Sequence, residues 1–392
     1  MESAYIPEVC DLCRSKKYSV LLDLKTRRAM RSDRRIVNSN LQKYACDNCG
    51  LVRSGQGFGN QSLEDYYSDE YRLSEQTDEY FFHTLEGPIS RSSLFCDWMI
   101  SSSAVPAWQK ARRCLEVGAG SGLLLKELAR RFPKAACEGL ELNRDAVDRA
   151  RQKGIVVHQG EPADLASEQY DIVYSIAVLE HVPSPTKFLK DLRRLLKPGG
   201  HLFLCQPTQD LPSYDLFFID HLHHFGTEHL RRYARKTGFQ EQGVWVGHRW
   251  MPNFSLHLWQ AVELHAEFVW EGPPADTKCV PVSRSIVSDM EHLNALMASL
   301  TKRQRRVALF GLNEVYSLAY AYSELADFPV VCGLDDDPNK PEYAALNFPV
   351  LKPEDCLALR VQDVVLTMNK VYYEYARKRL EKLGLETHPV LS

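Results

Sequence analysis

Two cysteine pairs, a glycine-rich turn and a histidine cluster are where residue type and spacing in this chain could do chemistry. Cys10-Asp11-Leu12-Cys13 and Cys46-Asp47-Asn48-Cys49 each aim two thiolates at one point. Together they offer the four ligands of a closed tetrahedral site, for which zinc is the expected ion, with iron compatible with the same sulfur set. Such a site has no open coordination position, so it stabilises a segment too small for its own core and performs no reaction. Free surface cysteines are the alternative reading. The gap between the pairs is longer than in common zinc ribbons, so the residues between them, including the basic stretch Lys25 to Arg35, must form a folded excursion. Without interleaved aromatics, that stretch reads as a solvated face rather than an RNA-binding one.

The run Cys114-Leu115-Glu116-Val117-Gly118-Ala119-Gly120-Ser121-Gly122 reads as a strand end, a turn and a helix start. Glycines there let the backbone approach a ligand and present free N–H groups to it. At the next strand end, Gly139-Leu140-Glu141-Leu142-Asn143 places Glu141 where a carboxylate can accept hydrogen bonds from both ribose hydroxyls of a nucleoside. The third feature is Asp220-His221-Leu222-His223-His224-Phe225. An imidazole has the right proton affinity to remove a proton near neutral pH, but a cluster of this kind can also shape a pocket or hold a metal.

These groups need a scaffold. From Arg113 to Cys205, short apolar runs (Cys114 to Val117, Ala136 to Leu140, Ile155 to Val157, Tyr170 to Ile176, His201 to Cys205) alternate with helical ones, predicting an α/β, doubly wound parallel sheet. An apolar stretch near Leu94 to Ile100 predicts a helix against it, and the aromatics Tyr66, Tyr67, Tyr71, Tyr80, Phe81 and Phe82 read as packing residues. With 392 residues, several domains are expected. We expect a cysteine module over 1–75, ending in the Gly-rich stretch Ser54 to Asn60, a ligand-binding α/β domain over 76–250, a helical connection over 251–300, and a second α/β domain over 301–392. The last begins with Val307-Ala308-Leu309-Phe310-Gly311 and carries Gly333-Leu334-Asp335-Asp336-Asp337-Pro338-Asn339-Lys340. It lacks GxGxxG, which weakens any dinucleotide reading. The 48 basic and 51 acidic residues leave a formal charge of −3, too small a field to argue for nucleic acid or membrane partners. There is no leader-like start and no run of about 18 apolar residues, so a cytoplasmic location is expected.

The segments from about Arg113 to Leu204, with Gly160-Glu161-Pro162-Ala163-Asp164-Leu165, Tyr170 to Val182 and Leu195-Leu196-Lys197-Pro198-Gly199-Gly200 in that order, resemble the class I S-adenosylmethionine-dependent methyltransferases. The resemblance implies a Rossmann-like fold and a donor site built from Glu116, Gly118, Ala119, Gly120, Glu141, Leu142, Asp164 and Ser175. Gly118 and Gly120 would line the methionine part, Glu141 the ribose and Asp164 the adenine; Asp164 could instead merely cap a helix. The whole chain also resembles the zinc-containing sugar C-methyltransferases that act on nucleotide-linked keto sugars. Their Tyr-x-Glu-His stretch corresponds to Phe218-Ile219-Asp220-His221, so the resemblance makes His221 the base, Asp220 its carboxylate and His224 a neighbour. This chain departs from that pattern at Phe218 and at His257, which stands where the family has arginine. The C-terminal domain would close over the substrate, with Asn313 and Asp335 near it, or serve only as scaffold. The implied acceptor is a small molecule, such as a keto sugar; O- or N-methylation, a NAD-dependent oxidoreductase and a non-catalytic binding protein are the alternatives.

Overall fold

Tyr170–Ile176 is buried on both faces except at Asp171, as a central strand covered by helices on each side must be. In the computed structural model, residues 9–55, 81–84, 87–101, 105–211, 213–263, 279–336, 338 and 346–392 are described. Gln56 to Asn60, Tyr66, Tyr67, Tyr71, Tyr80, Asp337, Asn339 and Lys340 lie outside them. Two compact units result. The first is Met1–Leu21, Lys43–Asp215 and Asp220–Cys279; the second is Leu22–Gln42, Leu216–Ile219 and Val280–Ser392. Both cysteine pairs therefore fall in the first unit, and the basic excursion between them in the second.

The elements, in chain order, begin with β1 (Tyr18–Leu24), β2 (Leu41–Cys46), β3 (Val52–Ser54) and α1 (Arg91–Ser101). The main alternation follows: β4 (Arg113–Val117), α2 (Leu123–Arg131), β5 (Ala136–Glu141), α3 (Arg144–Gln152), β6 (Val157–Gln159), β7 (Tyr170–Ile176), α4 (Pro185–Leu195) and β8 (Leu196–Pro207). It ends with β9 (His223–His224), α5 (Thr227–Lys236), β10 (Phe239–His248) and β11 (Met251–Ala261). The main sheet runs β6-β5-β4-β7-β8-β11-β10, parallel throughout except for β11, which lies antiparallel between β8 and β10. A second sheet, β1-β2-β3-β9, pairs the cysteine module with the histidine segment.

The helical connection expected over 251–300 starts instead as strand β11, and the helix among its described residues is Cys279–Lys302. Ser255 through Trp259 is buried without interruption, because both faces of an inserted central strand are covered. Phe254-Ser255-Leu256-His257-Leu258 alternates apolar and polar residues, which is the period of a strand and not of a helix.

Two cores flank the main sheet. One gathers Cys114, Leu125 and Tyr174 with Leu94 and Trp98 of α1. The other gathers Leu115, Val173, Leu189 and Tyr233 with Cys10, Leu12, Cys46 and Leu51, so the cysteine module shares the core under α4 and α5. The module is also stitched there by hydrogen bonds. The Asp11 carboxylate accepts from Ser184 Oγ at 2.7 Å and from the Thr186 N–H at 2.9 Å, capping α4, while Lys236 Nζ donates to Leu12 O at 3.1 Å.

In the second unit, α6 (Cys279–Lys302) precedes β12 (Val307–Phe310), α7 (Glu314–Tyr322), β13 (Cys332–Leu334), β14 (Val350–Leu351), β15 (Asp363–Leu366), α8 (Tyr373–Glu381) and β16 (Glu386–Pro389). Its parallel sheet has the order β14-β13-β12-β15-β16.

Candidate active site

Parallel strands end side by side, so loops leaving their carboxyl edges converge on one crevice. The turn after β4 carries Gly118, Gly120 and Gly122 at positive φ, and the N–H groups of Gly118 and Ala119 both donate to Leu140 O, at 2.9 and 3.1 Å. Gly118 is required sterically, since a Cβ there would lie 2.3 Å from Val178 Cγ2. A Cβ on Gly120 would meet nothing within 4 Å, which leaves room beside the backbone for a ligand. Glu141, at the end of β5, accepts from the Gly120 N–H at 2.8 Å and from the Asn143 N–H at 2.9 Å, one on each carboxylate oxygen. Each oxygen keeps a further lone pair for a hydroxyl donor.

Leu142 is half-buried beside it, and Ala119 is buried in the turn. Asp164 lies after β6 and accepts from the Glu161 N–H at 2.8 Å, capping the turn Pro162–Asp164. Glu116 is buried in β4, where burial pushes its carboxyl up to about 8 and the Tyr174 hydroxyl donates to it at 3.3 Å. Ser175 Oγ donates to Val117 O at 3.0 Å, tying β7 to β4. The structure thus brings Gly118, Ala119, Gly120, Glu141, Leu142 and Asp164 to one edge, while the Glu116 and Ser175 side chains serve the strands beneath it.

Beyond β7 the chain turns at Ala177, held at φ +54, into the short helical turn Leu179–His181, which faces the histidine segment. The Leu222 N–H donates to Glu180 O at 2.8 Å, and His181 Nδ1 meets Asp220 O at 2.9 Å. His221 and His224 present their Nδ1 atoms to the two oxygens of a single buried carboxylate, Asp215. Burial opposes this charge, yet the two imidazoles hold Asp215 well below the usual carboxylate range. Burial likewise works against protonation of His221, but Asp215, with Asp220 and Glu180 nearby, raises its proton affinity above the ordinary imidazole value. His224 is pushed down to about 4 by burial and by the Lys43 ammonium.

The Glu180 carboxylate is fully buried, has no hydrogen-bond partner outside its own residue among the described residues and is pushed up to about 7 by burial. Its neighbours include His181 and His221. Other buried polar atoms without a partner among the described residues include His224 Nε2, Gln206 Oε1, Gln209 Nε2 and His257 Nδ1.

Residues 91–242 match a family model described as a methyltransferase domain. The strand order above, with one reversed strand beside the last, is the class I arrangement. This chain carries a class I methyltransferase domain. It is similar to a ubiquinone biosynthesis O-methyltransferase of Vibrio cholerae, at 29% identity over 34% of this chain and 63% of that protein. It is also similar to a fatty-acid O-methyltransferase of Mycolicibacterium smegmatis, at 32% identity over 30% of this chain and 46% of that protein. The chain therefore spans less than two thirds of the length of these curated relatives. Among solved structures, it is similar to a putative sarcosine dimethylglycine methyltransferase from Galdieria sulphuraria, with a TM-score of 0.40, 16% identity, and coverage of 48% of this chain and 94% of that one.

The methyltransferase domain reveals two participants that sequence reasoning missed. The carboxylate against the His221 ring is that of Asp215, where Asp220 was expected; Asp220 contributes its main-chain carbonyl to His181. Glu180 lies in the run Tyr170 to Val182, where nothing in the local pattern distinguishes it. A lone acid six residues before a histidine carries no sequence signal of its own.

At the other end of the histidine segment, the four thiols of Cys10, Cys13, Cys46 and Cys49 all lie within 4.8 Å of one another, with sulfur pairs at 3.5 and 3.6 Å. That spacing suits four thiolates about 2.3 Å from a tetrahedral ion. His229 Nε2, on α5, meets Cys49 O at 3.0 Å. Among the described residues, no helix is long and apolar enough to cross a membrane.

Proposed function

We propose that the protein is an S-adenosylmethionine-dependent methyltransferase acting on a small polar acceptor, with a carbon next to the ketone of a nucleotide-linked sugar as the favoured target. The observation that carries this reading is the Asp215–His221 pair beside the desolvated Glu180, one short turn from the donor strand β7.

The donor supplies an electrophilic methyl group that needs in-line placement more than acid or base help. Gly118, Ala119 and Gly120 offer backbone to it, and Glu141 holds its ribose. A carbon nucleophile, by contrast, must first lose a proton. Asp215 orients His221 through Nδ1 and raises its basicity, so His221 Nε2 takes the proton and the enolate carbon forms the new C–C bond as the C–S bond breaks. Glu180, pushed up to about 7 by burial, carries its proton in about half of the molecules at neutral pH and in that form can donate to the enolate oxygen. Four cysteine thiolates would hold zinc away from this step, as a structural ion.

The unpartnered Nε2 of His224, on the ring that shares Asp215 with His221, supports a polar acceptor, since an apolar one would leave it unsatisfied at a cost of about 1–3 kcal/mol. O-methylation of a hydroxyl is the second reading, favoured by the names of the curated relatives. In it, His221 would deprotonate oxygen.

The test is mass spectrometry of protein, S-adenosylmethionine and a panel of nucleotide-linked keto sugars in deuterated water. Gain of one methyl group with loss of the solvent-exchangeable α-proton, absent in His221→Ala, supports carbon transfer. Methylation without exchange at any carbon moves the reaction to oxygen, and no methylated sugar at all removes this acceptor class.

A further inference from the structure

Lys43 is buried without exposure in β2, three residues before the second cysteine pair, and its ammonium reaches into the histidine segment. Nζ donates to His221 O at 2.9 Å and to Ser54 Oγ at 2.7 Å, while Ser54 Oγ donates to the same His221 carbonyl at 3.0 Å. The Ser54 N–H donates to Leu222 O at 3.0 Å, and β9 pairs with β3 through His223 opposite Arg53 and His224 opposite Val52. The main chain of the candidate base is thus held by a hairpin that belongs to the cysteine module.

A fully buried cation has to be balanced by nearby charge. Asp215 and Asp220 face it, and burial pushes Lys43 down to about 7, so both of its protonation states lie within reach of neutral pH. Asp215 serves two imidazoles at once, so a proton taken up by His221 during the reaction could be held on either ring. Burial and the Lys43 ammonium work against protonation of His224, while Asp215, Asp220 and Glu180 favour protonation of His221. The titratable groups around the pair are Lys43 and Arg53 from β2 and β3, Glu180 and His181 from the turn after β7, and Asp220 and His223 on the segment itself.

We propose that Lys43 is a positioning residue for proton removal: it fixes the main chain of His221 and, as the cation beside Asp215, keeps His224 neutral, so that the proton taken from the acceptor is held on His221 and not passed to His224. The kinetic part of this inference rests on the methyl-transfer reading above; the protonation part does not. An intact four-cysteine site becomes a condition of the correct proton assignment, because the same hairpin carries both.

Imidazole ¹⁵N spectra of the full chain, recorded against pH with signals assigned through His221→Asn and His224→Asn, test this directly. In the wild type, His224 Nε2 should stay unprotonated to about pH 5 while His221 titrates above 6.5. Lys43→Met should raise the His224 midpoint by about one unit or more, leave S-adenosylmethionine affinity unchanged and lower kcat on a methylated keto sugar about tenfold or more. Lys43→Arg should restore the wild-type titration. Ser54→Ala, which keeps the charge but removes one bond to the His221 carbonyl, should lower kcat without moving His224. A wild-type His224 that titrates at or above 6.5, or an unshifted His224 in a folded Lys43→Met variant, overturns the proposal whether or not any sugar is methylated. The expected titrations without any methylated keto sugar would retain it and remove the acceptor.

Discussion

The two units build the same parallel scaffold and end their first strand in similar turns, yet only one turn is open. The N–H of Gly118 donates to Leu140 O at 2.9 Å, and the N–H of Gly311 donates to Leu334 O at 3.2 Å, so each turn docks on the next strand in the same way. In the first unit three residues separate Gly118 from the Gly122 that starts α2 without a side-chain cap, and Gly120 stands clear between them. In the second, Asn313 follows Gly311 almost at once and caps α7 itself, accepting from the Val315 N–H at 3.0 Å. A Cβ on Gly311 would meet Met368 Cβ at 2.7 Å and Thr367 O at 3.3 Å. Two residues before each glycine stand Glu116 and Leu309, a buried acid against a buried hydrocarbon. A Rossmann-like sheet therefore supplies a place for a ligand, and the length and packing of one turn decide whether the place is used.

The largest effect expected from breaking this contrast comes from metal removal. Structural zinc contributes on the order of 10 kcal/mol to small four-ligand folds, and here the cysteine cluster shares a core with α4 and α5. Chelation, or Cys46→Ser, should abolish amide-exchange protection in β2, β3 and β9 while β12, β13 and β15 keep theirs. Uniform loss of protection in both sheets would show that the units do not differ in this respect.

Next comes pH. Glu116 has a folded pKa near 8 against an ordinary value of 4.5, so its contribution to stability is fully present below pH 4.5 and is lost as pH rises through 8. At 1.36 kcal/mol per unit, the loss is on the order of a few kcal/mol. Denaturant unfolding of the first unit should weaken between pH 5 and pH 8.5 relative to Glu116→Gln, which cannot ionise. Parallel curves for the two proteins would mean that the carboxyl ionises freely in the folded state.

The donor contact is smaller but more specific. Glu141→Ala should weaken S-adenosylmethionine binding by about 2–3 kcal/mol, or roughly 30- to 150-fold by calorimetry, because it removes a charged acceptor. Asp335→Ala, at the end of the equivalent strand of the second unit, should change it by less than about twofold. Equal losses would overturn the assignment of the donor to the first unit's turn.

Local patterns explain what could be read from the sequence. The glycine turn, Glu141 and the cysteine pairs are short-range features whose spacing is their geometry, and the strands from Arg113 to Cys205 show as apolar runs between helical ones. Other features depend on distant partners. Lys43 meets His221 across 178 positions, and β11 is buried on both faces because Leu256 and Leu258 enter one core while Trp259 and Ala261 enter the other. Residues 22–42 lie between the two halves of the four-cysteine cluster yet belong to the second unit, which no composition shift announces.

The glycines themselves give the finest test. Gly120→Ala places an L-residue at φ +53 with open space around its Cβ, so the fold should lose only about 1–2 kcal/mol. Donor affinity should fall further than that strain accounts for, since the methyl group occupies the ligand's approach. Gly311→Ala, at φ +91 and against Met368, should cost about 2–3 kcal/mol in stability, read by exchange protection in β12, with donor affinity unchanged. If both substitutions lower stability alike and neither touches affinity, the first turn is as closed as the second, and S-adenosylmethionine must bind elsewhere.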